Sequence, residues 1–75
     1  MAKQTIQAEV GGTVSKIERR EGERVARDEP ILFLELMKME IPVAAPEDGV
    51  VFKLLVAEGE LVTEGQEIAI VETAR

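Results

Sequence analysis

The sequence predicts an all-β domain: a flattened β-barrel or sandwich of two four-stranded antiparallel sheets, related by a pseudo-two-fold internal repeat. Three observations predict it. The stretch Gly12–Leu36 recurs as Gly49–Thr73, shifted by 37 residues, and self-similarity at such a period marks one supersecondary unit used twice. The chain is 45 % hydrophobic, mostly Val, Ile, Leu and Ala, with Phe33 and Phe52 its only aromatics; branched aliphatics suit a pleated, half-buried surface. The apolar runs are short and bounded by Gly, Pro and acidic residues, a pattern of strands and turns rather than helices.

The repeat is carried by turn residues and apolar residues together. Gly12, Gly22 and Gly49, Gly59 fall in register, as do Glu23 and Val25 with Glu60 and Val62, Ile31 with Ile68, Glu35 with Glu72, and Ala8 with Ala45. Repeated glycines imply turns of the same geometry, since Gly serves where φ is positive or two backbones approach closely. The chain reads as a single domain over 1–75, with repeat halves at about 5–37 and 42–74. A chain of this size buries only about 60 % of its unfolded surface, so its stability margin is thin.

Each copy is expected to run strand, turn, short strand, turn, strand. Thr5 to Glu9 and Met39 to Val43 supply the first strand of each copy. Met39, Ile41 and Val43 alternate with Glu40 and Pro42, which puts the first set on the core face. Pro42 cannot donate to a ladder, so this strand belongs at a sheet edge. Residues 13–18 and 50–56 are the next strands, followed by the charged turns Glu21-Gly22-Glu23 and Glu58-Gly59-Glu60. Val25 and Val62 sit in short strands. Asp28-Glu29-Pro30 and Glu64-Gly65-Gln66 are the next turns, with Pro30 or Gly65 as the breaker. The dense runs Ile31-Leu32-Phe33-Leu34 and Ile68-Ala69-Ile70-Val71 are expected to be strands buried on both faces.

Lys38 falls at the joint between the copies. Strand Ile31–Leu36 ends one copy and Met39 begins the next, so only Met37 and Lys38 are left to reverse the chain in a two-residue hairpin. Under the 37-residue shift Lys38 corresponds to Arg75, which places the hairpin at one pole and the termini at the other. Lys3, Lys16 and Lys53 read as ordinary surface lysines, Lys3 at a frayed terminus. Met39 is in phase with Ile41 and reads as core. Met37 has little core to fill at a hairpin tip and reads as a flexible apolar contact for other proteins. A single lysine displayed at the joint of a duplicated β-domain suggests a swinging arm, with a prosthetic group held covalently on the ε-amine. Acylation there would form an amide and take the formal net charge from −6 to −7.

Composition narrows the alternatives. With no cysteine and no histidine, disulfides, Cys/His metal sites, nucleophilic thiols and histidine acid–base pairs are excluded. The 15 carboxylates mostly occupy turns and read as solvated, so no catalytic residues and no metal ligands are expected. The acidic balance, with a pI near 4.6, disfavours nucleic acid. It serves solubility first; a sharper reading is electrostatic docking to basic faces of partner enzymes. No apolar run approaches a membrane span. The N-terminus has neither an apolar signal segment nor an Arg/Ser-rich transit peptide, so a cytoplasmic protein is expected.

The segment from Glu35 to Val51, Glu-Leu-Met-Lys-Met-Glu-Ile-Pro-Val-Ala-Ala-Pro-Glu-Asp-Gly-Val-Val, closely resembles the biotinylation segment of biotin-dependent carboxylases, especially the acyl-CoA carboxylase type. The Gly-Glu-x-Val elements at Gly22–Val25 and Gly59–Val62 resemble turns of the biotinyl/lipoyl domain, and the resemblance extends from about Ala8 to Glu72. It implies a barrel-sandwich hybrid with biotin on Lys38. It implies a biotin protein ligase that reads Glu35, Leu36, Met37, Met39 and Glu40, and it implies biotin carboxylase and carboxyltransferase partners for a non-catalytic, monomeric carrier. There are two departures: Leu36 stands where the family usually has a small residue, and the protruding thumb loop of some bacterial carriers has no room. A lipoyl carrier of a 2-oxo-acid dehydrogenase complex is the less favoured alternative, since lipoyl segments resemble Asp-Lys-Ala rather than Met-Lys-Met. An unmodified scaffold or interaction module is the third.

Overall fold

The computed structural model describes residues 2–74; Met1 and Arg75, the counterpart of Lys38 in the repeat, lie outside them. Eight strands follow one another: β1 (Ala2–Gln7), β2 (Gly12–Ile17), β3 (Arg24–Val25), β4 (Pro30–Leu36), β5 (Met39–Ala44), β6 (Gly49–Leu54), β7 (Leu61–Val62) and β8 (Glu67–Thr73). Adding 37 to the bounds of β1–β4 reproduces those of β5–β8. The strands form two antiparallel four-stranded sheets, ordered β1-β8-β6-β3 and β5-β4-β2-β7, and the same shift turns one order into the other. The sheets are not the two copies: each combines two strands from either copy.

Backbone hydrogen bonds carry the exchange. The Gly22 N–H donates to the Val51 carbonyl (2.8 Å) and the Val51 N–H to the Glu23 carbonyl (2.9 Å). In the other copy Gly59 donates to Val14 (2.8 Å) and Val14 to Glu60 (2.9 Å). Several carboxylates expected to be solvated join this scaffold instead. The Glu21 carboxylate accepts the Leu54 N–H (2.9 Å) and that of Glu58 accepts the Ile17 N–H (3.0 Å). Within the turns, Glu23 and Glu60 cap the N–H groups of Arg20 and Ala57. Each bond occupies a donor that the strand ladder leaves open.

The core repeats as the backbone does. Val14, Ile31, Leu32 and Leu34 from one sheet face Val51, Ile68, Ala69 and Val71 from the other, all at most 1 % exposed. Burying each of the larger aliphatics is worth about 1.5–3 kcal/mol. β5, which contains Pro42, is an edge strand, as a missing N–H requires.

Several further expectations change. β1 starts at Ala2 rather than Thr5, and Lys3 is not frayed: it pairs with Glu72 on β8, and its ammonium stands 4.4 Å over the Phe52 ring. The reason is a partner strand almost a whole chain length away, invisible to local reading. Glu9 falls beyond the end of β1. The left-handed residue of the 28–30 turn is Asp28 (φ 71°), the counterpart of Gly65 (φ 86°), while Pro30 opens β4.

Gly22 and Gly59 have φ of 90° and 88°, and a side chain added at either would meet no atom within 4 Å. The cost of replacement is therefore backbone strain alone. Gly22→Val and Gly59→Val are each expected to destabilise the domain by about 1–2 kcal/mol, read as a drop of roughly 4–16 °C in Tm for a domain this small. An unchanged Tm in both variants would contradict the assignment.

Candidate functional site

β4 and β5 form a hairpin in the register Leu34↔Ile41, Glu35↔Glu40, Leu36↔Met39. Two residues remain for the reversal, Met37 (φ 53°) and Lys38 (φ 66°). Positive φ at both central positions is the signature of a type I′ turn, whose twist matches that of the flanking strands. Such turns ordinarily use Asn-Gly or Asp-Gly. Holding a methionine and a lysine there costs about 1–2 kcal/mol per residue. The strain persists because β4 is fixed on its other side by β2 (Thr13↔Glu35, Val14↔Leu34), and strain held this way concentrates at functional positions.

Lys38 alone among the four lysines lies outside a strand. Lys16 on β2 is bound to Glu18 at 3.1 Å, and that hydrogen bond with its charge holds the Lys16 ammonium above its ordinary pKa. Lys3 covers Phe52. Lys38 is exposed at the tip, a primary amine free to meet an acyl donor.

The flanks of Lys38 are apolar and open. Met37 is 86 % exposed, Met39 65 % and Leu36 38 %. The exposure of Met39 corrects the expectation that it fills the core. Its phase is right: Met39, Ile41 and Val43 share a face, and burial rises along that face to Val43. The buried side chains stop at Leu34 on β4 and Val43 on β5, so the hairpin projects beyond the core and Met39 has nothing to pack against.

On the outer face, Glu35 and Glu40 stand directly opposite each other, an arrangement of like charges that weakens a strand pair. The Ser15 hydroxyl donates to Glu40 at 3.4 Å. Cross-strand pairing continues the row through Thr13 to Leu61, which is 76 % exposed. Sequence reasoning did not single out Leu61. The repeat held the signal, because its counterpart is Arg24, an exposed charged position. A groove of about 610 Å³ among Arg24, Val25, Gly49, Val50 and Thr73 contains no hairpin residue. Among the described residues no group of three or more carboxylates is placed to hold a metal. What the hairpin offers chemically is a nucleophilic amine between thioethers.

Comparison with known proteins gives a consistent result. The domain family described as "Biotin-requiring enzyme" matches residues 8–71. The chain is 35 % identical over 66 residues to a biotinylated protein TB7.3 homolog of Mycobacterium leprae, covering 88 % of this chain and 93 % of that one. It is 40 % identical over 63 residues to a probable dihydrolipoyllysine-residue succinyltransferase component of the 2-oxoglutarate dehydrogenase complex of Schizosaccharomyces pombe, covering 84 % of this chain but only 14 % of that protein. Among solved structures, the Kluyveromyces lactis urea carboxylase superposes with a TM-score of 0.89 at 26 % identity, over 96 % of this chain and 6 % of that one. With the family match over most of its length and these relatives, the chain belongs to the biotin/lipoyl attachment domain family of biotin-requiring enzymes.

Proposed function

We propose that the chain is a biotin carboxyl carrier, with biotin attached to Lys38 through an amide and carboxylate carried between a biotin carboxylase and a carboxyltransferase of an acyl-CoA carboxylase-type enzyme. The observation that supports this most directly is the lysine in a strained two-residue turn between exposed methionines. In the attachment step the deprotonated Nζ attacks the acyl carbon of an activated biotin carboxylate. The N–C bond forms as the activating group leaves with its electron pair, and Nζ gives up a proton. The domain's own residues present the amine and offer a surface to read: Leu36, Met37 and Met39 as apolar contacts, Glu35 and Glu40 as the flanking charges. Once attached, biotin supplies the carboxyl-transfer chemistry. A cytoplasmic location and a monomeric isolated domain belong to the same proposal. The second reading, a lipoyl carrier, is kept by the Schizosaccharomyces pombe relative; Met37 and Met39 favour biotin.

Co-expression with a biotin protein ligase is expected to raise the intact mass by one biotinyl group, and Lys38→Arg to remove the increase without loss of fold. A lipoyl increase would move the chain to the second reading, and no increase with either ligase would favour an unmodified module. Leu36→Ala is expected to keep or raise the initial rate of biotinylation; a large fall would mean that the ligase selects leucine. Replacing the turn with Met37→Asn and Lys38→Gly is expected to stabilise the domain by about 1–3 kcal/mol in denaturant unfolding while abolishing modification. No gain in stability would contradict the strain assigned to the tip.

A further inference from the structure

We propose that Met37 and Met39 form an oxidation-sensitive pair that gates acylation of Lys38, the thioethers being converted to sulfoxides by hydroperoxides. The proposal rests on the reading of Lys38 as the acylated residue. The chain has no cysteine and three methionines. The two methionines within the described residues lie immediately on either side of Lys38, at 86 % and 65 % exposure. Solvent can reach both thioethers, and neither side chain belongs to the buried cluster.

The repeat provides an internal control. At the structurally equivalent positions in the other copy stand Ala74 and Ala2. Ala2 still pairs at the strand end, across from Thr73, so strand pairing at that position does not demand sulfur, although Ala74 does not share the positive φ of Met37. Two readily oxidised side chains have been placed on the one turn that carries the displayed amine.

The chemistry balances with a hydroperoxide as oxidant. A sulfur lone pair attacks the terminal peroxide oxygen and the O–O bond breaks. Sulfur keeps that oxygen and loses two electrons, and the remaining fragment leaves with the proton as an alcohol, or as water from hydrogen peroxide. The product is a polar, chiral sulfoxide that methionine sulfoxide reductases of the two epimer specificities reverse. Because both side chains project beyond the core, oxidation leaves the packed body of the domain intact. Its effect falls on any enzyme that must close over the tip, where an apolar flank becomes a dipole that needs a hydrogen-bond partner.

The test uses the 75-residue chain, treated with hydrogen peroxide until peptide mass mapping shows one oxygen on both Met37 and Met39. Initial rates of acylation by a biotin protein ligase are then compared before treatment, after treatment, and after incubation with both reductases. A rate lowered about tenfold or more (a factor that corresponds to about 1.4 kcal/mol) at unchanged Tm, and restored by the reductases, is the expected result. Peroxide-treated Met37→Leu/Met39→Leu chain should keep its own untreated rate; a fall there would place the effect elsewhere and overturn the proposal. Equal rates before and after full oxidation would overturn it while leaving the Lys38 reading in place. A chain that takes no acyl group even before peroxide would overturn that reading, and the gate with it.

Discussion

The position of β4 is the constraint on which the site depends. Ile31, Leu32 and Leu34 are fully buried, and the strand is paired on one side with β2 and on the other with β5. A one-residue slip would carry this apolar set to the wrong face, so the register is closed to adjustment. Leu36 then meets Met39, and two residues must complete a reversal that the twist of the strands favours only with positive φ. Met37 and Lys38 accept those angles because the body of the sandwich enforces them. A tip that tolerates glycine or asparagine on local grounds is occupied instead by two residues that backbone preference alone does not favour.

That body is stiff because neither copy of the repeat is complete alone. β1 lies against β8, and β5 against β4, so each sheet closes with strands of both copies. The turns are locked in the same reciprocal way, Glu21 on the Leu54 N–H and Glu58 on the Ile17 N–H. Part of the domain's acidity is thus structural, since these carboxylates accept backbone donors across the repeat. At Gly12 and Gly49 the sheets admit no side chain at all: a Cβ on Gly12 would stand 2.7 Å from the Glu35 carbonyl, and one on Gly49 would run into that of Glu72. The glycine before Thr13 therefore holds β2 close to the end of β4, just where the hairpin leaves the core.

What could be read from the sequence was whatever the repeat or a local rule makes visible. Paired glycines and matched apolar positions reveal the two sheets, Pro42 reveals an edge, and the two residues left between Leu36 and Met39 reveal the hairpin. What stayed hidden depends on distance in the chain or on where the core ends. The first half of β1 is a strand only because β8 lies beside it. The turn carboxylates look solvated until the opposite copy brings an N–H to them. Asp28 hides a left-handed position that glycine marks openly at residue 65. Met39 has the periodicity of a core residue, and only the reach of the hairpin past Val43 leaves it exposed. Leu61 escapes local reading because its strand is only two residues long, and only its exposed counterpart in the repeat, Arg24, points to it.

Separation of strain from packing explains how one small domain can both fold and present a reactive group. The buried rows that stabilise it end at Leu34 and Val43, whereas the left-handed backbone and the open side chains lie beyond them. Acylating Lys38 would remove a positive charge from a tip already bordered by Glu35 and Glu40, but it would remove no contact that the core relies on. A partner that grips the tip meets an apolar collar with carboxylates behind it, and can bury the collar without unfolding the sheet. A chemical change at Lys38 or on its apolar flanks would therefore leave the sandwich fixed.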